Sequence, residues 1–155
     1  MGNVVAICNG QAVELRSVHD SVFSQRLAGD GYAIRPNNNQ FVSPIDGKIR
    51  LLFRGLHALV IEGSDGVDFL IHIGVNTVQL NGVGFKAHVS ELQEVKKGDL
   101  LISVEEDYLN NPHIDLTSLV LVMRPKLVKN MTIKTKGYCE AGKTEMMTYE
   151  LRDDE

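Results

Sequence analysis

The chain has 155 residues, 43% of them hydrophobic, enough for one domain with a sizeable core and too few for two comfortable ones. A formal charge of −4 lacks the electrostatic footprint of a general nucleic-acid binder, so Lys96, Lys97, Lys126, Lys129, Lys134, Lys136 and Lys143 read as solvated strand faces. No stretch approaches the roughly 20 apolar residues of a membrane span, and the start, Met1-Gly2-Asn3-Val4-Val5-Ala6-Ile7-Cys8, has neither the basic leader nor the apolar length of a signal peptide. Cys8 and Cys139, far apart and outside any Cys-x-x-Cys pair, read as free thiols of a reducing compartment; the expectation is a soluble cytoplasmic protein.

In chain order, short apolar segments fall at residues 4–7, 33–35, 40–42, 48–53, 58–62, 68–73, 100–104, 119–123, 131–134 and 146–151. Between them lie the turn signals Asn9-Gly10, Gly29-Asp30-Gly31, Asp46-Gly47, Gly82-Val83-Gly84, Gly98-Asp99 and Gly142. Many short strands separated by regular turns predict an all-β sandwich or barrel. Only residues 21–27 and 105–111 have the pattern for a short helical turn. A faint echo joins Val5-x-x-x-Asn9-Gly10-x-x-x-x-Leu15 to Val42-x-x-x-Asp46-Gly47-x-x-x-x-Leu52, and Lys97-Gly98-Asp99 to Ala141-Gly142-Lys143, which suggests internal pseudo-symmetry. The predicted class is an antiparallel β-sandwich or barrel-sandwich hybrid, a single domain over residues 1–155 with a frayed acidic end at Asp153-Asp154-Glu155.

The chemistry concentrates in one hairpin. His57-Ala58-Leu59-Val60-Ile61-Glu62 and Val67-Asp68-Phe69-Leu70-Ile71-His72-Ile73 flank Gly63-Ser64-Asp65-Gly66. If Glu62 pairs with Val67, every couple sums to 129 and His57 stands directly opposite His72, with Cβ atoms about 4.5 to 5.5 Å apart. Two imidazoles so placed can grip one small group. Neutral imidazole, with a free pKa of about 6.5, can accept a phosphoryl group, while its neighbour donates to the phosphoryl oxygens that carry the charge during transfer. Gly74 lets backbone approach, and its carbonyl could hold the other ring nitrogen of His72 and select the reactive tautomer.

The competing chemistry is zinc, which wants at least three protein ligands. No third ligand is identifiable, although Asp68 shares the strand face of His72, so no metal is assigned. His19, His88 and His113 read as surface residues, and Gly29-Asp30-Gly31 as a turn rather than a phosphate loop.

The run Gly66-x-x-Phe69-Leu70-Ile71-His72-Ile73-Gly74-Val75-x-Thr77-Val78 closely resembles the phosphorylation-site signature of the glucose-type enzyme IIA (EIIA) of the bacterial sugar phosphotransferase system. Val22-Phe23, Gly29-Asp30-Gly31-x-Ala33-Ile34-x-Pro36, Ser43-Pro44-Ile45-Asp46-Gly47, His57-Ala58, Leu80-x-Gly82-x-Gly84-Phe85 and Val95-x-x-Gly98-Asp99 continue the likeness in family order. The resemblance implies a β-sandwich whose shallow depression holds both histidines, with His72 as phosphoryl acceptor, His57 as its stabilising partner and no cofactor. It implies a phosphocarrier fed by the phosphocarrier HPr, itself charged by enzyme I from phosphoenolpyruvate, and discharging to a cysteine of an enzyme IIB domain for sugar uptake. Asp30 and Asn76, with Val22, Phe23, Ile34, Phe69 and Val78, are candidates for the docking face or, for the apolar ones, the core beneath it.

Three positions depart from the family pattern. Gly55 stands where members usually carry Thr two residues before the supporting histidine, removing a hydroxyl from the site. Asn76 replaces a frequent Asp, and Ala6-Ile7 an Ala-Pro. These departures leave room for a second reading, a regulatory module that signals to a target protein by its phosphorylation state and shares zinc with it. A zinc hydrolase of the lysostaphin type is disfavoured, because His57 is followed four residues later by Ile61 and His72-Ile73-Gly74 lacks a second histidine.

Overall fold

The computed structural model describes residues 2–18 and 30–152. The strands are β1 (Gly2–Val5), β2 (Gly10–Val13), β3 (Asp30–Pro36), β4 (Gln40–Val42), β5 (Gly47–Leu52), β6 (Ala58–Gly63) and β7 (Asp68–His72), followed by β8 (Phe85–Ala87), β9 (Glu94–Val95), β10 (Leu100–Val104), β11 (Ser118–Val122), β12 (Val128–Ile133), β13 (Tyr138–Cys139) and β14 (Glu145–Leu151). An eight-stranded sheet runs β13-β2-β3-β11-β7-β6-β5-β9, and two three-stranded sheets run β1-β14-β12 and β4-β10-β8. Every strand pairing is antiparallel. Helical structure among the described residues is limited to 3-10 turns, one of them Glu106–Asn110 inside the predicted 105–111; the predicted turn at 21–27 lies outside the described residues.

The faint echo marks a real two-fold relation. Read from its two edges inward, the large sheet matches β13 to β9, β2 to β5, β3 to β6 and β11 to β7, and the two small sheets match β1-β14-β12 to β4-β10-β8. Atomic detail follows the same relation. The Gly142 N–H donates to the Ala6 carbonyl at 2.8 Å and the Gly98 N–H to the Ser43 carbonyl at 2.9 Å. The Ala141 N–H donates to Asn9 Oδ1 at 2.8 Å and the Lys97 N–H to Asp46 Oδ1 at 2.9 Å. At the join the two glycine corners touch: a Cβ on Gly142 would stand 3.2 Å from the Gly98 Cα, so the edges of the sheet are drawn together.

Central strands are apolar on both faces because both faces are covered. Phe69, Ile71, Val120 and Val122 point into the main core with Ile7, Ile34, Phe41, Ile61 and Leu101, whereas Leu119 and Leu121 point the other way, under Leu15 and Val18. All five residues of β11 are buried. Hence these strands lack the apolar-polar alternation of a one-sided sheet.

Candidate functional site

The site is assembled at the end of the β6–β7 hairpin away from its turn, and its register differs from the predicted one. Ala58 pairs with His72, Leu59 with Ile71 and Glu62 with Asp68, so couples sum to 130 rather than 129. His57 is opposite Ile73, whose N–H donates to the His57 carbonyl at 2.7 Å. The cause lies in the turn. Gly63 and Val67 close a three-residue loop through an N–H to carbonyl bond of 2.9 Å, with Gly66 at φ +91° and the Val67 N–H held by Asp65 Oδ1 at 3.1 Å. This three-residue loop, ending on a left-handed glycine, takes one residue fewer into the turn than the predicted four-residue loop, so Gly63 joins the ladder and the register moves by one.

Strict alternation would now send the two imidazoles to opposite faces, yet they meet. β6 begins only at Ala58, and the chain before it turns sharply: the Leu56 N–H donates to the Phe53 carbonyl at 2.9 Å, the Phe53 N–H to the Ala58 carbonyl at 3.1 Å, and Leu56 sits at φ +62°. This bend frees His57 from the strand pattern. Its ring stands edge-on to His72, centroids 5.5 Å apart at 73°, and edge-on to Phe53 at the same distance and angle.

His72 is held at Nδ1, which donates to the Gly74 carbonyl at 2.8 Å. A carbonyl can only accept, so the neutral ring carries its proton on Nδ1 and its lone pair on Nε2. The carbonyl is itself fixed. Gly74 adopts φ +84°, and a Cβ there would lie 2.3 Å from Thr77 Cγ2 and 3.1 Å from the Asp115 carbonyl oxygen, so only glycine fits. Thr77 Oγ1 donates to the Ile73 carbonyl, the Gly74 N–H donates to Ser118 Oγ at 3.3 Å, and the Val75 N–H to the Asp115 carbonyl at 2.8 Å. Sequence reading did not single out Ser118, Asp115 or Thr77 for this support. The available signal was Ser118, a polar residue opening an otherwise apolar strand and wholly buried.

His57 is 8% exposed, and its Nδ1 is buried with no hydrogen-bond partner among the described residues. A Cβ on Gly55 would stand 2.9 Å from that nitrogen, so the hydroxyl that Gly55 removes is not replaced, and the space beside Nδ1 is closed by backbone. Burial pushes the His57 pKa below its ordinary 6.5. A base whose pKa falls on folding binds more protons unfolded; its stability contribution is complete above about pH 6.5 and is lost as pH drops from there through the folded value. We therefore expect the unfolding midpoint to fall on acidification from about pH 7 to pH 5, and His57→Gln to flatten that slope. Denaturant melts of both proteins across this range check it; parallel slopes would assign the loss to other groups.

The remaining candidates scatter. Val78 is 53% exposed on the 3-10 turn Thr77–Leu80, and Asn76 precedes that turn at φ +58°, a left-handed conformation that asparagine tolerates well. Of the residues read as docking face or core beneath it, Ile34 and Phe69 fall in the core and not on the docking face: both are wholly buried, because β3 and β7 turn these side chains into the main core. Asp30 opens β3 in register with Val122 and Phe69, three residues along the sheet from the Ala33–Leu119–His72 row, on the order of 10 Å away along the strands. Val22, Phe23 and His19 lie outside the described residues.

Asp68 is engaged elsewhere, 2.7 Å from the Arg50 guanidinium and 3.8 Å from that of Arg124. His88 Nε2 contacts Ser103 Oγ at 2.9 Å. Among the described residues no group of three or more His, Cys, Asp or Glu side chains is arranged to hold a metal ion, and no helix is long and apolar enough to cross a membrane.

Residues 2–127 match the family described as phosphoenolpyruvate-dependent sugar phosphotransferase system, EIIA 1. The chain belongs to this EIIA family. Among solved structures it is similar to the glucose permease IIA from Mycoplasma capricolum, at 34% identity and a TM-score of 0.83 over 94% of each chain. The sandwich described above is thus the glucose-type EIIA fold, and the histidine pair with its Gly74 support is the part of this EIIA whose chemistry needs an account.

Proposed function

We propose that this EIIA is a phosphocarrier in which His72 takes a phosphoryl group from phospho-HPr and passes it to a cysteine of an enzyme IIB domain. The observation that carries the reading is the Nδ1–Gly74 hydrogen bond of 2.8 Å, which leaves the nucleophilic lone pair on Nε2, beside the His57 ring. In the first step Nε2 of His72 attacks phosphorus in line as the phosphorus–nitrogen bond of phospho-HPr breaks; the proton stays on Nδ1, donated to the Gly74 carbonyl throughout. In the second, a thiolate displaces Nε2, forming a phosphorus–sulfur bond and restoring neutral His72. His57, its Nδ1 closed in by Gly55, turns Nε2–H to the phosphoryl oxygens that carry the transferring charge.

A face rather than a deep cleft suits two carriers that must each bring a reacting group to the same phosphorus, and Val78, exposed on the 3-10 turn that follows the Gly74 segment, fits such a rim. The reading takes residues 1–155 as one EIIA unit that works in the cytoplasm, where both carriers are found, and leaves sugar recognition to the membrane component. Incubation with phosphoenolpyruvate, enzyme I and HPr should give one acid-labile phosphoryl adduct, and added enzyme IIB should remove it. A folded protein left unmodified by HPr from several sources would end the carrier reading.

A further inference from the structure

The Nδ1 edge of His57 is walled off by backbone. The wall has two layers, Gly55 against the ring and Gly82 behind it. A Cβ on Gly55 would lie 3.9 Å from the Gly82 N, and one on Gly82 would lie 3.6 Å from the Gly55 carbonyl oxygen. Gly82 belongs to a tight loop in which Asn81, Gly82 and Gly84 are all left-handed, at φ +54°, +82° and +83°. Its internal bonds, the Val83 N–H to the Leu80 carbonyl at 3.0 Å and the Phe85 N–H to the Gly82 carbonyl at 3.1 Å, set its shape and not its position.

Position comes from the 3-10 turn Glu106–Asn110. The Tyr108 hydroxyl donates to the Val83 carbonyl at 2.6 Å, and the Glu105 N–H donates to the Gly84 carbonyl at 2.8 Å. The tyrosine ring lies over Gly84 so closely that a Cβ there would stand 2.4 Å from Oη, and it tilts against Phe85 with centroids 6.3 Å apart. Val83 itself is 67% exposed; the loop's apolar anchors lie at its ends, Leu80 packed on the main core and Phe85 buried and paired with Val104, and Tyr108 is the side chain that holds the tip between them.

We propose that Tyr108 is a positioning residue for His57, acting through the Val83–Gly84 backbone, Gly82 and Gly55 to keep the supporting imidazole seated beside His72. In a family pattern with Thr at the Gly55 position a side chain could orient this ring directly. Here the described residues offer Nδ1 no such partner, and a brace from outside the hairpin performs the task sterically.

The test measures two quantities on Tyr108→Ala and Tyr108→Phe. The first is the NMR titration of His57, followed separately from His72, the titratable ring that faces it. Tyr108→Ala lets the loop move off, admits water to Nδ1 and should raise the His57 pKa toward its ordinary value, whereas Tyr108→Phe keeps the ring on Gly84 and should shift it less. The second, which rests on the phosphocarrier reading, is the transfer rate from the phosphorylated protein to enzyme IIB. It should fall about tenfold in Tyr108→Ala, less than the roughly 100-fold expected for removing the His57 donor outright, and only a few-fold in Tyr108→Phe. A folded Tyr108→Ala protein with an unchanged His57 titration overturns the brace, and should that variant not fold, an unchanged titration in Tyr108→Phe together with an unaltered Val83–Gly84 loop does so. A wild type that HPr never phosphorylates defeats the carrier reading alone, since the titration still decides the brace.

Discussion

His72→Ala is expected to take up no phosphoryl group from phospho-HPr, while His57→Gln takes it up but passes it to enzyme IIB about 100-fold more slowly, the usual scale for deleting one aimed donor. The two outcomes differ because the two rings are held differently. His72 donates its Nδ1 proton to the Gly74 carbonyl, which leaves the lone pair on Nε2, the nitrogen proposed to bond phosphorus. His57 has no hydrogen-bond partner at Nδ1 among the described residues, is almost wholly buried and is disfavoured in its charged form by that burial, which suits a hydrogen-bond donor better than a nucleophile. Gel or mass measurement of the acid-labile adduct, followed by a chase with enzyme IIB, separates uptake from delivery. An adduct that survives in His72→Ala would move the acceptor role to another residue, and unimpaired delivery by His57→Gln would remove His57 from the transfer step.

Phe69→Ala is expected to destabilise the protein by about 3–5 kcal/mol, the range for emptying a large aromatic site in a packed core. Phe69 is wholly buried on β7, pairs across the sheet with Val122 and Ile61, and meets Tyr149 edge-to-face with centroids 6.0 Å apart. It therefore joins the large sheet to β14 of a small one, and its loss opens a space that strands on both sides are too constrained to fill. Urea or guanidinium melts measure the effect. If Phe69 belonged to the docking face, the melt would be unchanged and the loss would appear in affinity for HPr; the burial assigns it to stability.

Much of this architecture was legible along the chain. The runs that became β6, β7, β10 and β11 stood out as apolar segments between glycine turns, and the Asn9-Gly10 and Asp46-Gly47 corners were readable as repeats because both must begin an equivalent strand. Of the strands of two or three residues, β4 was read at 40–42, but β8, β9 and β13 were not, since so short a stretch carries no period. The one-residue error in register came from the turn, where left-handed Gly66 closes a three-residue loop that composition cannot distinguish from the four-residue alternative. Ile34 and Phe69 resisted assignment for a related reason. In strands covered on both faces nearly every residue is apolar, and nothing local says which side chains meet solvent.

The sequence by itself determined an all-β protein, the hairpin that carries the chemistry, the pair of histidines and the glycine whose carbonyl orients one of them, because each depends on residue type and short-range spacing. Only the tertiary structure decided that the two imidazoles meet through a bend at Leu56 rather than by direct cross-strand opposition, that Ser118 and Asp115 from another part of the chain pin the Gly74 segment, and that the wall behind His57 is held from Tyr108. Those contacts join residues distant in sequence, and they exist only once the sheets have closed and brought their loops to one end.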